Sequence, residues 1–266
     1  MIINPYLFGG GGIDPDAQAF ITAAAITNPT QQAAINTFVV DLKGYSIWTK
    51  MKALYPFVTD KTVEADIKSQ MKFNLKDPRD LDAAFRLTWN GGGTWTANGY
   101  KPNGINGYAD TKLKLQTNIS ATSHAFGIYS RTNNTTGTQI WGGFDGASNL
   151  FAQNNLTGAN FIDGLIATLT SYTANPSTGL LLATRRSATD FQAYRNGVSL
   201  GTNNIITTST FNNNMFLGAR NNTAATDFYS VHQLAFAFFS EGLTDTEAAN
   251  FYTAVQAFQT TLSRQV

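Results

Sequence analysis

Tight turns dominate the sequence after about residue 71. Short apolar stretches there are separated by five Asn-Gly pairs: Asn90-Gly91, Asn98-Gly99, Asn103-Gly104, Asn106-Gly107 and Asn196-Gly197. Both central residues of a type I′ turn need a positive φ, so an Asn-Gly pair between β-rich arms is the strongest local signal for a hairpin. A chain that reverses direction this often cannot form long helices over the same residues. The pattern therefore predicts antiparallel sheets from residue 71 onward.

The clearest predicted hairpin covers residues 191–200, where two β-rich arms flank the turn at Asn196. Core strands are also predicted at residues 215–218 and 231–239. Large side chains alternate with alanines in the second of these: Leu234, Phe236 and Phe238. Because the side-chain period of a strand is two, we expect one face to pack against a core and the other to meet a second sheet.

Helix signals lie at both ends of the chain. Asp14 caps a helix predicted from Pro15 to about residue 26, and a second helix is predicted from Pro29 to Gly44. Apolar residues continue the face of this second helix: Ile47, Trp48, Met51 and Leu54. The result is a predicted helical hairpin with one apolar side.

The last helix has a complete start signal. Thr244 and Glu247 form a capping box, in which each side chain binds a backbone N–H of the other residue. An apolar stripe follows: Phe251, Val255, Phe258 and Leu262. The sequence thus predicts a mainly β, antiparallel sandwich with an N-terminal helical hairpin and a C-terminal amphipathic helix.

Charge and composition argue against several classes of protein. The chain has 18 Lys+Arg and 17 Asp+Glu, a net charge of +1, so no electrostatic attraction to nucleic acid is expected. The absence of cysteine excludes disulfides and thiolate metal sites. No apolar run approaches the roughly 18 residues that span a bilayer, and the first residues lack the basic segment of a secretion signal. We expect synthesis in the cytosol, no membrane span and no nucleic-acid partner.

The same features predict four parts: a flexible N-terminal arm at residues 1–12, a helical attachment region at 13–70, the sandwich at 71–242, and a C-terminal helix at 243–266 that packs on the sandwich or on a partner subunit. Four consecutive glycines make the arm flexible, since glycine loses the most entropy when it is fixed. Charged residues concentrate between about residues 43 and 86, which favours a charged attachment region beneath a neutral head.

Catalytic signals are weak. Residues 197–201 match the G-x-S-x-G nucleophile pattern, but a hairpin turn precedes Ser199 and β-branched residues follow it, whereas the chemistry needs a strand, an elbow and a helix. His124 and His232 are interpreted as hydrogen-bonded strand residues rather than bases or zinc ligands. The alternating acidic run of a sandwich glycosidase is missing. We therefore expect no enzymatic activity.

Two acidic clusters, at residues 64–66 and 77–82, lie among lysines and arginines. This arrangement favours solvated ion pairs or turn caps. The second cluster has carboxylates that suit calcium, yet it lacks the D-x-D-x-D-G pattern of a calcium loop. The sequence therefore predicts no cofactor, and structural calcium has no motif to support it.

Two aromatic segments lie among small residues, at 91–100 and 141–145. Exposed Trp and Tyr rings beside Asn and Asp are typical of sugar sites, because the ring stacks on the apolar face of the sugar while the polar groups bind hydroxyls. The candidate glycan contacts are Trp95, Tyr100, Trp141 and Asp145. Glycine beside a tryptophan equally permits close packing inside a core, and this alternative stays open.

Three segments of the last third of the chain resemble concanavalin-A-like, laminin-G-type jelly rolls. The matching motifs are Y-x-N-G-x-x-x-G at residues 194–201, a hydrophobic-Gly strand at 217–220 and an L-T-x-x-E step at 243–247. The resemblance implies a jelly-roll sandwich. Such domains bind glycans or proteins, or only pack, so the resemblance alone does not imply one function.

A second resemblance covers nearly the whole chain. Residues 14–20, 50–57, 72–80 and 243–266 are similar to a family of structural proteins of tailed phages and environmental viruses, of the Bacteroidetes-phage type. The resemblance implies a virion component, carried as a head decoration, fibre or spike subunit, with no catalytic residues to transfer. We expect docking to other virion proteins through the N-terminal helices, a homo-oligomer with a trimer favoured, and contact with host-surface glycans. A free lectin-like module and a polysaccharide-cleaving enzyme are the alternatives.

Overall fold

Two β-sheets and a set of helices make up the described part of the chain. The computed structural model describes residues 12–133, 139–144, 148–155, 158–165, 176–204, 212–223 and 225–266. The helices are α1 (Pro15–Ala23), α2 (Pro29–Gly44), α3 (Glu64–Met71), α4 (Leu115–Asn118) and α5 (Asp245–Thr261). The strands are β1 (Met51–Tyr55), β2 (Thr88–Asn90), β3 (Gly93–Thr96), β4 (Gly99–Pro102), β5 (Tyr108–Lys114), β6 (His124–Ser130), β7 (Gln139–Phe144), β8 (Ser148–Asn155), β9 (Gly158–Leu165), β10 (Gly179–Ser187), β11 (Asp190–Arg195), β12 (Val198–Asn203), β13 (Asn214–Leu217), β14 (Arg220–Asn222), β15 (Ala225–Asp227) and β16 (Leu234–Ser240).

The strands form two sheets, which we call sheet I and sheet II. Sheet I has the order β12-β11-β10-β6-β16-β4-β3, and β1 pairs with the end of β16. Sheet II has the order β15-β14-β7-β13-β5-β2, with β8 and β9 joined to β7. All the described pairings are antiparallel except that of β14 with β7. The structure therefore confirms the predicted mainly β fold with helices at both ends.

One apolar core lies between the two sheets. Sheet I contributes Phe126, Ile128 and Leu181, and sheet II contributes Leu113 and Leu217, all of them buried. A second core lies on the other face of sheet I, where the helices pack. The residues of this helical layer include Phe20, Phe38, Phe251 and Phe258, and the last three contact Phe236 or Phe238 of β16. Sheet I is thus covered on both faces.

The capping signals predicted from the sequence are present. Asp14 and Asn28 accept backbone N–H groups at the starts of α1 and α2. Thr244 and Glu247 form the capping box of α5. The predicted apolar stripe of α5 is turned towards sheet I, because Phe251 lies 4.3 Å from Phe238 between ring centroids. The apolar faces of α2 and α5 are therefore buried within this chain.

The predicted hairpin at residues 191–200 is confirmed. Its arms are β11 and β12, and the turn residues Asn196 and Gly197 have φ values of 49° and 74°, the left-handed values that a type I′ turn requires. The Asn196 side chain also accepts the backbone N–H of Leu180 at 2.8 Å, which ties the turn to strand β10.

Two local predictions are wrong. Residues 51–55 were expected to continue a helical face, but they form strand β1, because they pair with β16 from Met51 opposite Ser240 to Tyr55 opposite Ala237. The alternation in β16 is also broken by a shift in its pairing with β6 between Leu234 and Phe236. As a result, Leu234 faces the core between the sheets while Phe236 faces the helices.

The C-terminal residues are held by a buried arginine. Arg264, which is 2% exposed, donates to the backbone oxygens of Pro56, Phe57, Ala97 and Ala235 and to the side chain of Gln259. Val266 is bound close by, since its N–H donates to the hydroxyl of Tyr129 at 3.0 Å. This cluster joins the end of α5 to the strand β16 and to two loops.

None of the described helices is long and apolar enough to cross a membrane.

Candidate functional site

The outer face of sheet II is the candidate site, because the helices of the second core all pack on sheet I. Strand alternation places Ala109 and Leu217 in the core between the sheets, and these two residues lie opposite each other in the β5–β13 pair. Their neighbours Asp110 and Phe216, which are also paired, therefore point outward. The face is formed by the centre of sheet II, where backbone pairing holds it rigid.

Four aromatic residues lie on or directly after strands of sheet II, and we call them the aromatic strip: Tyr108 in β5, Phe216 in β13, and Phe228 and Tyr229 directly after β15. Tyr108 stacks on Phe216 with ring centroids 4.4 Å apart and an interplanar angle of 23°. Tyr229 lies 6.5 Å from Tyr108. Phe228 is 43% exposed, whereas Phe216 is buried, with 8% of its surface exposed.

Polar groups border the aromatic strip on one side. The Asp110 carboxylate accepts from the Asn214 amide at 3.1 Å and from the Lys112 ammonium at 2.8 Å. Its second oxygen accepts the backbone N–H of Lys112 at 2.8 Å. These bonds fix the Asp110 and Asn214 side chains on the same row of the sheet as Phe216.

A second polar group lies beside Phe228. Arg220 donates twice to Asp227, at 2.7 Å for each bond, and Asn222 donates to the same carboxylate at 2.8 Å. Partial burial raises the pKa of Asp227, but the hydrogen bonds from Arg220 and Asn222 outweigh this effect and hold the pKa below its usual value. The Arg220 guanidinium also lies 4.5 Å from the centre of the Phe228 ring. One face of that ring is therefore backed by a fixed cation, while the residue stays exposed.

Trp95 and Tyr100, two of the sequence-predicted glycan contacts, require a correction. Both are buried, with exposed fractions of 5% and 0%, and their rings stack at 5.0 Å in the core between the sheets. Gly93 allows this packing, because a Cβ atom there would lie 2.8 Å from the Tyr100 ring. Lys68 covers Trp95, with its ammonium 3.8 Å from the ring centre. Neither ring offers a face on which a sugar could stack.

Replacing Tyr100 by phenylalanine should leave stability unchanged or raise it by up to about 1 kcal/mol. The Tyr100 hydroxyl is buried and meets no hydrogen-bond partner within the described part of the chain, and an unpaired buried polar group costs about 1–3 kcal/mol. The matched control is Tyr55→Phe, because the Tyr55 hydroxyl donates to the Phe85 carbonyl at 2.6 Å. Urea unfolding should show a loss for the control only. Equal losses in both variants would contradict this interpretation.

The other two predicted contacts give less information. Trp141 belongs to β7, where its backbone is paired with Leu217. Asp145 lies outside the described residues. The glycan contact assigned to these two residues stays a prediction.

The acidic cluster at residues 77–82 forms ion pairs within 3.0 Å: Asp77 with Arg79, Asp80 with Lys72 and Arg86, and Asp82 with Arg86. These basic partners hold the pKa values of Asp77 and Asp80 below the usual value. Across the residues that the structure describes, no group of His, Asp and Glu side chains is placed to hold a metal ion.

The residues with nucleophile and base chemistry have structural roles. Ser199 lies in strand β12 and accepts from Gln192 at 2.9 Å, as expected for a strand residue. The buried His124 ring lies 3.1 Å from the Ser120 carbonyl. The His232 ring is also buried, and its Nδ1 lies 2.8 Å from the Ser130 hydroxyl. Because this pair is fully enclosed, a substrate could not reach the Ser130 oxygen.

The aromatic strip was missed at the sequence level. Strand β5 does carry a signal, because Tyr108, Asp110 and Lys112 alternate with the small or apolar residues Ala109 and Leu113. The strip nevertheless combines residues more than a hundred positions apart, and no local pattern links them.

Comparison with known proteins places the fold. No protein-family model and no curated protein matches the chain. A Trypanosoma rangeli sialidase has a TM-score of 0.55 at 11% identity, covering 83% of this chain and 39% of the sialidase chain. A botulinum neurotoxin type C structure has a TM-score of 0.55 at 11% identity, covering 79% of this chain and 52% of the toxin chain. At these identities the likeness shows a lectin-like β-sandwich fold, and the chain spans about two fifths to one half of the length of these proteins.

The expectation of no enzymatic activity is contradicted by these similarities. Sialidases are among the solved structures that share the fold, including a second Trypanosoma rangeli sialidase structure with a TM-score of 0.53. The sequence argument against enzymatic activity rested on missing catalytic motifs. Because the same fold also occurs in glycosidases, the fold gives no support for excluding an enzyme.

Proposed function

We propose that this chain is a carbohydrate-binding β-sandwich module that binds glycans on the outer face of sheet II. The observation that carries the proposal is the aromatic strip, bordered by the Asp110–Asn214 and Asp227–Asn222 pairs. Sugars bind to such surfaces because C–H groups stack on an aromatic face while fixed carboxylate and amide groups bind the hydroxyls. Phe228, directly after the edge strand β15, is the main expected contact, since it is the most exposed aromatic ring of the strip.

The structural neighbours support this class of ligand. The sialidase structures include complexes with 2,3-difluoro-KDN and 2,3-difluorosialic acid, and cell entry of botulinum neurotoxin type C depends on interaction with two ganglioside molecules. Gangliosides and sialidase substrates share sialylated sugars. Sialylated oligosaccharides are therefore the first ligands to test here, with neutral oligosaccharides beside them.

Replacing Phe228 by alanine should weaken glycan binding at least tenfold. One stacked aromatic ring contributes about 0.5–1.5 kcal/mol beyond its buried area, and the ring also removes water from the neighbouring hydrogen bonds. Binding is measured on a glycan array with sialylated and neutral members, and then by calorimetry with the best ligand. Tyr45→Ala is the matched control, because Tyr45 is an aromatic residue with 36% exposure at the end of α2, in the helical layer.

Two results would overturn the proposal: no binding to any array member, or equal binding by the wild type and the Phe228→Ala variant. The bound oligosaccharide is recovered after incubation and its length is measured. Shortened oligosaccharides would show that the protein cleaves its ligand and is a glycosidase rather than a binding module. Unchanged chains with lost binding in the variant support the module as proposed.

We further propose that the module is displayed on a phage virion, with assembly in the host cytoplasm. This rests on the sequence resemblance to virion structural proteins. The apolar faces of α2 and α5 are buried on sheet I, so docking to a virion partner or a homotrimer would use the polar outer surface of the helical layer. Proteomics of purified particles tests the placement. A chain that binds glycans as a free monomer and is absent from particles would instead be a free lectin-like module.

A further inference from the structure

A second polar site lies near the opposite end of strand β5. There, the turn of α4 faces the ends of β1 and β16 across an open cleft of about 340 Å³. Seven residues line it: Lys52, Thr117, Asn118, Ile119, Ser120, Ser123 and Glu241. Tyr108 of the aromatic strip and Lys114 at the start of α4 are six strand residues apart, which is about 20 Å at roughly 3.3 Å per residue. The cleft is therefore a separate site.

The walls of the cleft offer hydrogen-bond donors. The Asn118 side-chain oxygen already accepts from the Lys114 backbone at 2.8 Å and from the Thr117 hydroxyl at 3.3 Å. Its amide NH₂ group has no acceptor among the residues that the structure describes, so it can donate to a ligand. The Ser123 oxygen accepts the Gly242 backbone N–H at 3.1 Å, so its hydroxyl hydrogen can also be donated. A ligand in this cleft must therefore supply acceptor oxygens.

A cation and an anion stand side by side at the mouth of the cleft. The Lys52 ammonium lies 2.8 Å from the Glu241 carboxylate, and the two side chains are 32% and 47% exposed. Antiparallel pairing of Met51 with Ser240 fixes their neighbouring positions, and the Glu241 N–H donates to the Lys50 carbonyl. An exposed pair contributes at most about 1 kcal/mol to stability, so it can open to admit a ligand at low cost.

We propose that this cleft binds one neutral sugar unit through two adjacent hydroxyl groups. One hydroxyl accepts from the Lys52 ammonium and the next donates to the Glu241 carboxylate. The Asn118 amide and the Ser123 hydroxyl donate to the remaining oxygens. The volume is near the lower end of the roughly 300–1,000 Å³ range of small-molecule sites, which suits one unit rather than a chain.

The charges favour a neutral sugar over an acidic one. A carboxylated sugar would bring a second anion next to Glu241, and the described residues that line the cleft include only one cation, Lys52. Like charges at such distances repel. A neutral diol instead keeps the balanced pair and uses both of its members. The inference shares its ligand class with the proposed function, but it stands on different residues, so either one can fail alone.

The experiment is an NMR titration of the full chain with the methyl glycosides of glucose, galactose and mannose, and with methyl glucuronide as the acidic probe. We expect at least one neutral glycoside to shift the Asn118 side-chain and Ser123 backbone signals, with saturation in the millimolar range. Lys52→Met and Glu241→Gln should each raise the dissociation constant at least tenfold. Phe228→Ala should leave this binding unchanged.

The matched control is Lys72→Met, which breaks the ion pair of Lys72 with Asp80 at 2.6 Å and similar exposure, away from the cleft. It should bind as the wild type does. The proposal is overturned if no neutral glycoside shifts the cleft signals, if methyl glucuronide binds more tightly than every neutral glycoside, or if the control weakens binding as much as the two cleft variants. If Phe228→Ala loses binding on the glycan array while the glycosides still shift the NMR signals of the cleft, that result bears on the aromatic strip and not on the cleft.

Discussion

Replacing Arg264 by methionine should destabilise the protein by about 3–5 kcal/mol, because several buried acceptor oxygens lose their donor and each unpaired buried polar group costs about 1–3 kcal/mol. The guanidinium donates to four backbone oxygens and to Gln259, at distances of 2.9 to 3.3 Å. Burial lowers the pKa of Arg264 to about 9, which leaves it protonated at neutral pH. Methionine fills a similar length but leaves all five acceptors without this donor. Urea unfolding at pH 7 measures the change in free energy.

The control for Arg264 is Arg79→Met. Arg79 also forms two hydrogen bonds, both to Asp77, but its side chain is 65% exposed and water replaces the lost contacts. We expect no measurable change in its urea midpoint. Arg264→Lys should recover only part of the loss, since a lysine ammonium has three donors and lacks the planar fork. An Arg264→Met midpoint equal to that of the wild type would contradict the role assigned to this cluster.

Lowering the pH from 6.5 to 4 should cost about 3 kcal/mol of stability through His232 alone. Burial lowers the pKa of His232 from its usual value of 6.5 to about 4, and the positive charge of Lys101 acts in the same direction, while a hydrogen bond with the Thr132 backbone opposes it. Between these values the unfolded chain binds a proton that the folded chain does not. Stability therefore rises with pH across this window, by about 1.4 kcal/mol per unit.

The contribution of His232 is fully present above pH 6.5 and is lost as the pH falls towards 4. A comparison of the wild type with His232→Gln isolates it, because the other titrating groups are common to both chains. The difference in unfolding free energy between the two should change by about 3 kcal/mol over this range. If the variant does not fold, NMR titration of the His232 ring in the wild type gives the pKa directly. A value near 6.5 would contradict the prediction.

Several elements could be predicted because their causes are local. The turn at Asn196 and Gly197 needs only two residues that tolerate positive φ. The start of α5 needs only Thr244 and Glu247, three positions apart. Such signals act over a few residues, so the sequence shows them without knowledge of the fold.

Strand β1 shows where local signals mislead. Met51 and Leu54 have helical spacing, yet pairing with β16, almost two hundred residues away, makes this segment a strand. Both residues are still buried on the helical side of sheet I, so the apolar pattern was real while its period was misread. Long-range pairing decided the secondary structure.

The candidate site depended even more on the tertiary structure. Trp95 and Tyr100 looked suited to a sugar because small residues surround them, but both rings are buried, and the missing side chain of Gly93 leaves room for the Tyr100 ring. Tyr108 and Phe216 stack only because β5 pairs with β13.

The fold class, the main turns and the helix caps can be predicted from the sequence, since they follow from backbone preferences and apolar periodicity over short stretches. Which aromatic residues are buried depends instead on how distant segments pack, as does the position of Arg264 among four carbonyl oxygens from those segments. The physical reason is that exposure belongs to a packed surface, where segments remote in sequence either cover a side chain or leave it in water.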